Sequence, residues 1–191
     1  ILLQGMTVEY LFERLYKVKK NETILFHAAA GGVGLIACQW AKSIGCNMIG
    51  TVSNEEKAEL AKKNGCSHII NYKKDNVYEQ VKEITEGKGV SVVYDGVGKD
   101  TFKTSLECLD YRGLFVSFGQ SSGMLPQLDL HQTFSPKSLY YTRPTLMHYN
   151  LTNEQLKKSS NLLFEKIHNE EIKQYIYETI DLKHASEAHR L

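Results

Sequence analysis

The sequence predicts a doubly wound α/β fold, in which helices cover both faces of a mostly parallel β-sheet. Short apolar runs alternate along the 191 residues with longer segments whose apolar side chains have helical spacing. Several of these longer segments end at a glycine, the residue that most readily adopts the left-handed conformation after a helix. A glycine-rich turn follows the first apolar run directly. Strands and helices that alternate in this way form right-handed crossovers between parallel strands.

The first predicted element is a helix near the start of the chain. Val8, Leu11, Phe12 and Leu15 recur at the spacing i, i+3, i+4 and i+7, which predicts a helix with one buried stripe. Thr7 directly precedes this stripe, and its side chain is predicted to cap the helix.

Six apolar runs are too short for helices and are predicted as strands. They are Thr23–Ala28, Asn47–Val52, His68–Tyr72, Val90–Tyr94, Gly113–Phe118 and Ser138–Thr142. All three prolines of the chain lie between residues 120 and 145. Irregular structure is therefore expected there.

Helices are predicted between and after these strands. They are Leu35–Ile44, Asn54–Asn64, Asn76–Glu86, Thr101–Leu109 and Asn153–Asn169. Ser53 and Thr152 each have the spacing of a capping box, so they are predicted to begin the second and the last of these helices. Leu156, Leu163 and Ile167 are expected to form the buried stripe of the last helix.

Charge and composition exclude several classes of function. Twenty-three Lys and Arg residues against 22 Asp and Glu residues leave a net charge of +1, so no overall field attracts nucleic acid or an acidic membrane surface. No apolar run approaches the roughly 20 residues that span a bilayer, and the first residues lack a signal-peptide pattern. The four cysteines show neither disulfide nor metal-ligand spacing. We expect a cytoplasmic protein without a metal site and with reduced, buried thiols.

The turn after the first strand has the spacing of a dinucleotide fingerprint. Gly31, Gly32 and Gly34 follow Ala29, which stands where the first glycine usually lies. Glycines allow the backbone to approach a pyrophosphate, and the start of a helix favours an anion. The alternative is a glycine-rich corner that merely tightens a strand-to-helix turn. The strand before it, the helix after it and the further alternations favour a dinucleotide site in a Rossmann-type sheet.

The end of the second strand favours NADP(H) over NAD(H). An Asp or Glu at this point would bond the free ribose 2′-hydroxyl of NAD, but the chain has Thr51-Val52-Ser53 there. Ser53, Lys57 and Tyr72 are instead available to a 2′-phosphate. The alternative is that Lys57 is a solvated lysine and Tyr72 a strand-end aromatic residue.

Loops at the carboxyl ends of later strands are expected to face the rest of the cofactor. Val97 follows the fourth strand, and Phe118, Ser121 and Ser122 follow the fifth. Arg143 follows the sixth strand, where it either binds a pyrophosphate or carbonyl group or pairs with a surface acid.

Three polar residues are given structural roles instead of catalytic ones. Asp95 ends a buried strand and is predicted to form a turn. His27 lies in a core strand and His189 in a helix, and neither has a partner at metal-ligand spacing. Both are predicted to be packed or surface histidines.

Several segments together resemble one known family. They are Phe26–Gly34, Ile36–Lys42, Val93–Gly98, Val116–Gly119 and Thr142–Pro144. These segments are similar to those of the bacterial NADPH:quinone oxidoreductases, which belong to the zinc-free branch of the medium-chain dehydrogenases/reductases. The resemblance extends from Gly5 to Leu191.

The resemblance implies cofactor contacts along one edge of the sheet. The implied residues are Thr7 near the nicotinamide, Gly32 and Val33 under the pyrophosphate, Ser53, Lys57 and Tyr72 around the 2′-phosphate, and Val97, Ser121, Ser122 and Arg143 on the remaining side of the cleft. It further implies that quinones are reduced by NADPH without a metal. The protein then supplies orientation, since the cofactor carries the redox chemistry.

The resemblance also implies a domain organisation. Residues 1–22 would form a linking helix and a connection into the sheet, and residues 23–191 the NADP(H)-binding Rossmann domain. The family's GroES-like catalytic domain would be absent from this chain. The segment Asp181–Leu191 resembles the family's late helix. We therefore expect this chain to bind NADP(H) weakly and to have little activity alone.

Other functions stay open at this stage. The substrate is either a quinone or the activated C=C bond of an enone or enal. A methyltransferase also binds its cofactor at a glycine-rich turn, although such sites usually place an acid where Ser53 lies. A third possibility is a nucleotide-binding fragment without catalysis. The predicted strand Ser138–Thr142 would lie at an open sheet edge, which favours a homodimer.

Overall fold

The computed structural model describes residues 1–190 and contains one sheet of six parallel strands. The strands are β1 (Thr23–Phe26), β2 (Asn47–Val52), β3 (His68–Asn71), β4 (Val90–Asp95), β5 (Leu109–Ser117) and β6 (Tyr140–Thr142). Their order across the sheet is β3-β2-β1-β4-β5-β6. The chain thus builds the sheet outward from β1 in one direction and then returns to continue it from the other side of β1. This is the strand order of the doubly wound dinucleotide-binding fold, and it confirms the predicted fold class.

Helices cover both faces of the sheet. They are α1 (Leu2–Glu9), α2 (Gly32–Ile44), α3 (Glu55–Lys63), α4 (Val77–Ile84), α5 (Phe102–Cys108), α6 (Leu130–Phe134), α7 (Leu146–Tyr149), α8 (Asn153–His168) and α9 (Ala185–Ala188). Single 3₁₀ turns occur at Ser135–Lys137 and Leu182–His184. The segment resembling a late helix is thus a short turn and helix, and its last residue, Leu191, lies outside the described residues.

The apolar core lies in two layers, one on each face of the sheet. Along β1, Ile24 and Phe26 belong to the layer that contains Trp40 of α2, whereas Leu25 belongs to the layer that contains Val81 of α4. This alternation follows from the two-residue repeat of a strand. Because both faces of β1 are buried, its sequence is continuously apolar.

The first helix begins earlier than predicted. α1 starts at Leu2 and continues directly into a π-helix at Tyr10–Leu15. Thr7 therefore lies inside the helix, where its hydroxyl donates to the carbonyl of Leu3 at 2.7 Å, and the prediction that it caps the helix is wrong. The apolar pattern marked the buried stripe correctly, but a stripe does not fix where a helix starts.

Two further predictions about helices need correction. Asn54, not Ser53, caps α3, because its side chain accepts a hydrogen bond from the Lys57 amide at 2.8 Å. On α8, the capping box of Thr152 is present and Leu163 is fully buried, but Leu156 is 42% exposed and does not belong to the buried stripe.

The region between β5 and α8 is irregular, as its prolines predict. α6, the 3₁₀ turn that contains Pro136, and α7 are all short, and neither α6 nor α7 was predicted. β6 begins at Tyr140, two residues later than predicted, because Ser138 has a left-handed φ of 52°. β5 begins at Leu109, earlier than predicted, and the register between β4 and β5 shifts near Val90.

Candidate functional site

A cavity of about 600 Å³ lies at the carboxyl ends of the central strands. Five residues predicted to contact the cofactor line it, namely Gly31, Ser53, Lys57, Tyr72 and Val97. Its position is next to the point where the strand order reverses between β1 and β4. Ligands of open α/β sheets bind at such a switch point.

The turn after β1 can lie close to α2 because Gly34 has no side chain. A Cβ on Gly34 would lie 2.4 Å from the carbonyl oxygen of Ala28 and 2.5 Å from that of Ala29. Ala28 itself has a left-handed φ of 56°, which is uncommon for a residue other than glycine. The turn folds back tightly, and its Gly31 amide donates to the Ala28 carbonyl at 2.9 Å.

The first turn of α2 is open to a ligand. Gly31 and Gly32 are exposed, Val33 is partly buried, and no side chain caps the helix. Gly32 also borders a smaller cavity of about 120 Å³ that is lined by Gln4. An uncapped helix start with a bare backbone is a favourable place for a phosphate, since backbone amides and the helix dipole both attract an anion.

The opposite wall of the cavity carries the residues predicted for a 2′-phosphate. Ser53 is partly buried, Lys57 is exposed and the Tyr72 side chain is 52% exposed. Lys57 forms no ion pair within residues 1–190. Its ammonium group is therefore available to an anionic ligand.

The acid nearest to Ser53 in the sequence is engaged elsewhere. Glu55 accepts a hydrogen bond from Lys74 at 2.6 Å and one from Asn71 at 3.4 Å. The hydrogen bond from Lys74 lowers the pKa of Glu55. This carboxylate does not line the cavity. The end of β2 therefore presents no acid to the ribose of a dinucleotide that would bind there.

Three other carboxylates do line the cavity, and the sequence analysis missed them. Asp75 follows β3, whereas Asp100 and Glu107 come from the turn after β4 and from α5. The sequence could have predicted them, because these acids come after predicted parallel strands, and the turns after such strands meet at the same edge of the sheet. Asp75 lies three residues after Tyr72, at the end of β3, whereas Asp100 and Glu107 come from the connection after β4.

Asp95 forms a turn, as predicted. Its Oδ1 accepts hydrogen bonds from the amides of Val97 at 2.8 Å and Gly98 at 2.9 Å. Its Oδ2 accepts from the hydroxyl groups of Thr101 at 2.7 Å and Ser105 at 2.8 Å. The four donors fully occupy the buried carboxylate, which leaves it no role as a general base.

His27 is a packed histidine, as predicted, and the residue also lines the cavity. Its Nδ1 lies 3.0 Å from the Thr51 hydroxyl, and its Nε2 lies 3.0 Å from the Ser105 hydroxyl. Burial lowers the pKa of His27, and the charge of Asp95 opposes this shift. The ring is therefore neutral at physiological pH.

The loop after β5 packs against the turn after β4. The amide and the hydroxyl of Ser122 both donate to the Val97 carbonyl, at 2.8 and 2.9 Å, and the Ser121 amide donates to the Gly96 carbonyl at 3.2 Å. The Phe118 ring lies 5.6 Å from that of Phe26. These contacts bring the two loops together beside the cavity without placing Ser121, Ser122 or Phe118 in its wall.

Two further predicted cofactor residues, Arg143 and Thr7, do not line the cavity. Arg143 is exposed and donates to the carbonyl of Ser117, at the carboxyl end of β5, at 2.9 Å. It forms no ion pair within the described residues, so the alternative of pairing with a surface acid is not seen. Thr7 lies on α1 and also does not line the cavity.

Residues 1–190 contain neither a cluster of metal-ligating side chains nor a membrane-spanning helix. No three His, Cys, Asp or Glu side chains lie close enough together to share a metal ion. No described helix combines the length and the apolar character needed to cross a bilayer. The four cysteines are free and buried, as predicted.

The strand order and the cavity at the switch point place the chain among the nucleotide-binding α/β domains. A family model described as "Zinc-binding dehydrogenase" matches residues 32–165. The chain belongs to this family.

Similar proteins include oxidoreductases of known sequence and structure. Quinone oxidoreductase 1 of Escherichia coli is 50% identical over 191 residues, which cover 99% of this chain and 58% of that protein. The 2-haloacrylate reductase of a Burkholderia species is 42% identical over 191 residues, covering 100% of this chain and 57% of the reductase. The crystal structure of E. coli quinone oxidoreductase complexed with NADPH matches with a TM-score of 0.89 and 51% identity, over 91% of this chain and 53% of that one. The chain thus spans less than two thirds of the length of these relatives.

Proposed function

We propose that this chain is the NADP(H)-binding part of an NADPH-dependent quinone oxidoreductase. The observation that carries the proposal is that Ser53, Lys57 and Tyr72 line the cavity with a cation and two hydroxyl groups, while no carboxylate lines it at the end of β2. A phosphate on the ribose adds about 1.5 to 2 negative charges, which such a wall stabilises and an acid would repel. The NADPH complex of the E. coli relative supports the same cofactor.

The remaining residues fit the rest of the dinucleotide. The bare turn at Gly31 and Gly32 and the uncapped start of α2 would hold the pyrophosphate. Gly34 keeps the turn and the helix together. When bound, the cofactor would supply the reducing equivalents, and the protein would orient it and exclude water from its reactive end. Thr7, Val33, Val97, Phe118, Ser121, Ser122 and Arg143 are proposed to complete the contacts.

Titration of the chain with NADPH and NADH tests the cofactor proposal. We expect NADPH to bind more tightly, and adenosylmethionine not to bind, as measured by nicotinamide fluorescence or calorimetry. Lys57→Met removes the free cation and is expected to weaken NADPH about tenfold, the effect of losing one charge-assisted hydrogen bond, while NADH binding stays unchanged. Lys63→Met is the matched control, because Lys63 lies at the other end of α3. Equal loss for NADPH and NADH would contradict the proposal.

The domain organisation is part of the same proposal. Residues 1–22 would link the domain to a catalytic domain of GroES-like fold, and residues 23–191 would form the NADP(H)-binding domain. β1, the first strand of the sheet, begins at Thr23, which supports this boundary. Comparison of quinone reduction by this chain and by a full-length protein that contains it provides the test. We expect weak cofactor binding and little turnover by the chain alone.

A second candidate substrate is an activated alkene. The 42% identity to a 2-haloacrylate reductase favours this alternative, because the similarity extends over the whole chain. Steady-state assays of the full-length protein with a quinone, an enone and 2-chloroacrylate separate the two. A higher kcat/KM for the alkenes than for the quinone would replace quinone by alkene in the proposal.

We also propose that the protein forms a homodimer. The edge strand β6 exposes Tyr140 and Tyr141, 62% and 42% respectively, and pairs with β5 on one side, so a second copy can extend the sheet. Sedimentation is expected to show a dimer that Tyr141→Pro converts to a monomer.

The four free cysteines support a reducing, cytoplasmic location, which cell fractionation tests. We further propose metal-free chemistry, so dialysis against a chelator is expected to leave the activity of the full-length protein unchanged.

A further inference from the structure

A continuous chain of hydrogen bonds runs beside the cavity from Ala28 to Asp95. The Ala28 amide donates to the Thr51 hydroxyl at 3.3 Å, and this hydroxyl lies 3.0 Å from Nδ1 of His27. Nε2 of His27 lies 3.0 Å from the Ser105 hydroxyl, which donates to Oδ2 of Asp95 at 2.8 Å. These hydrogen bonds connect β2, the turn after β1, α5 and β4, four segments that are far apart in the sequence.

The chemistry of its two ends fixes the direction of every hydrogen bond. The Asp95 carboxylate only accepts, so the Ser105 hydroxyl donates to it and must accept from Nε2–H of His27. Nδ1 of the neutral ring is then an acceptor and receives the Thr51 hydroxyl proton. The Thr51 oxygen in turn accepts from the Ala28 amide, which only donates. One tautomer of His27 therefore satisfies all members of the chain.

Each end of this hydrogen-bond chain fixes a backbone turn that borders the proposed cofactor site. At one end, Ala28 has the left-handed φ of 56° that starts the turn into α2. At the other end, the second oxygen of Asp95 accepts from the amides of Val97 and Gly98 in the turn after β4. These two turns face each other across the switch point between β1 and β4. The hydrogen-bond chain therefore fixes the distance between them.

Ser105 itself has no access to a ligand. It is fully buried and does not line the cavity. It lies between Asp95 and His27, whereas a serine nucleophile needs the histidine between the serine and the acid. Its arrangement therefore does not suit nucleophilic catalysis.

We propose that Ser105 and His27 are positioning residues for the dinucleotide, because their hydrogen bonds hold the turn after β1 and the turn after β4 at the separation that the cofactor requires. The inference rests on the proposed function. Ser105 acts entirely through His27 and Asp95. Any effect of a Ser105 substitution on the affinity for NADPH must therefore pass through the hydrogen-bond chain.

The experiment compares two buried serines that each donate to a carboxylate. Ser105→Ala breaks the chain at its middle, whereas Ser159→Ala removes an equivalent hydrogen bond to Glu9, 2.6 Å long, that lies away from the cavity. Ser159 is 1% exposed, so both changes are expected to lower the melting temperature. We expect Ser105→Ala to weaken NADPH about tenfold and Ser159→Ala to leave its affinity unchanged. Equal affinities of wild type and Ser105→Ala overturn the inference.

A second variant and a second measurement cover the case that Ser105→Ala does not fold. Ser105→Cys fills the same space with a weaker donor, and it is expected to bind NADPH with intermediate affinity. Nitrogen NMR of ¹⁵N-histidine-labelled wild type is expected to show His27 with its proton on Nε2 from pH 6 to pH 8. A proton on Nδ1 would overturn the inference while leaving NADPH binding intact. Failure of the wild type to bind NADPH would instead overturn the proposed function and this inference with it.

Discussion

The methyl group of Ala29 fills the space that the absent side chain of Gly50 leaves on the neighbouring strand. A Cβ on Gly50 would lie only 2.5 Å from the Cβ of Ala29 and 2.7 Å from Sγ of Cys66. The two residues belong to adjacent parallel segments, since Gly50 pairs with Phe26 of β1. This relationship explains why the dinucleotide fingerprint tolerates alanine where its first glycine usually stands.

Gly50→Ala is therefore expected to destabilise the protein. Overpacking of a filled core costs about 1–3 kcal/mol, and here a buried methyl group and a thiol both oppose the new side chain. Urea unfolding measures the loss. Adding Ala29→Gly is expected to restore part of the free energy of unfolding, because the contact with Cys66 persists. A Gly50→Ala variant as stable as wild type would show that this region repacks freely.

Gly34→Ala is expected to disturb both the fold and the cofactor site. The new Cβ would meet two backbone carbonyl oxygens of the turn, and these can move only if the turn leaves α2. We expect a loss of about 1–3 kcal/mol in the free energy of unfolding and weaker NADPH binding. Gly32→Ala is the control for stability, because its Cβ would meet only the flexible end of Gln4. Equal destabilisation by the two substitutions would contradict this explanation.

Local sequence patterns predicted the strands and most helices because the buried elements carry their own periodicity and several of the helices are followed by a glycine. Gly45 ends α2 with a left-handed φ of 78°, as its position predicted. Details that depend on distant residues were not predictable. Leu156 has the spacing of a buried residue, but it is 42% exposed in the folded chain. The Ser105 hydroxyl reaches His27 and Asp95 only because α5 packs against β4, which no local pattern records.

Asn54 and Ser53 are adjacent, and substitution separates their roles. Asn54→Ala removes the side chain that caps α3 and is expected to lower the free energy of unfolding by about 1 kcal/mol. Ser53→Ala is expected to leave the stability unchanged and to weaken NADPH binding, because Ser53 lines the cavity and does not cap the helix. Thermal unfolding and NADPH titration of both variants provide the measurements. The capping box predicted from the sequence would require the opposite result for stability.

Buried thiols are expected to make the protein sensitive to alkali. Burial raises the pKa of Cys46 and of Cys108 from 9.0 to about 12. Between these values the unfolded chain loses protons that the folded chain retains, so the free energy of unfolding falls as the pH rises above 9. The expected loss between pH 9 and pH 10 is about 1 kcal/mol for each thiol. The phenol of Tyr10 adds to this loss only at higher pH, because its pKa rises from 10.0 to about 12.

Urea unfolding at pH 7.5, 9 and 10 measures this dependence, and the variant Cys46→Ala/Cys108→Ala isolates the two thiols. Its stability is lower at pH 7.5 because two buried side chains are shortened. Its further loss between pH 9 and pH 10 is expected to be about 2 kcal/mol smaller than that of the wild type, since the groups that titrate differently in the two states are gone. Parallel curves for the two proteins would mean that these thiols ionise in the folded state as readily as in the unfolded state, and that water reaches both sulfur atoms.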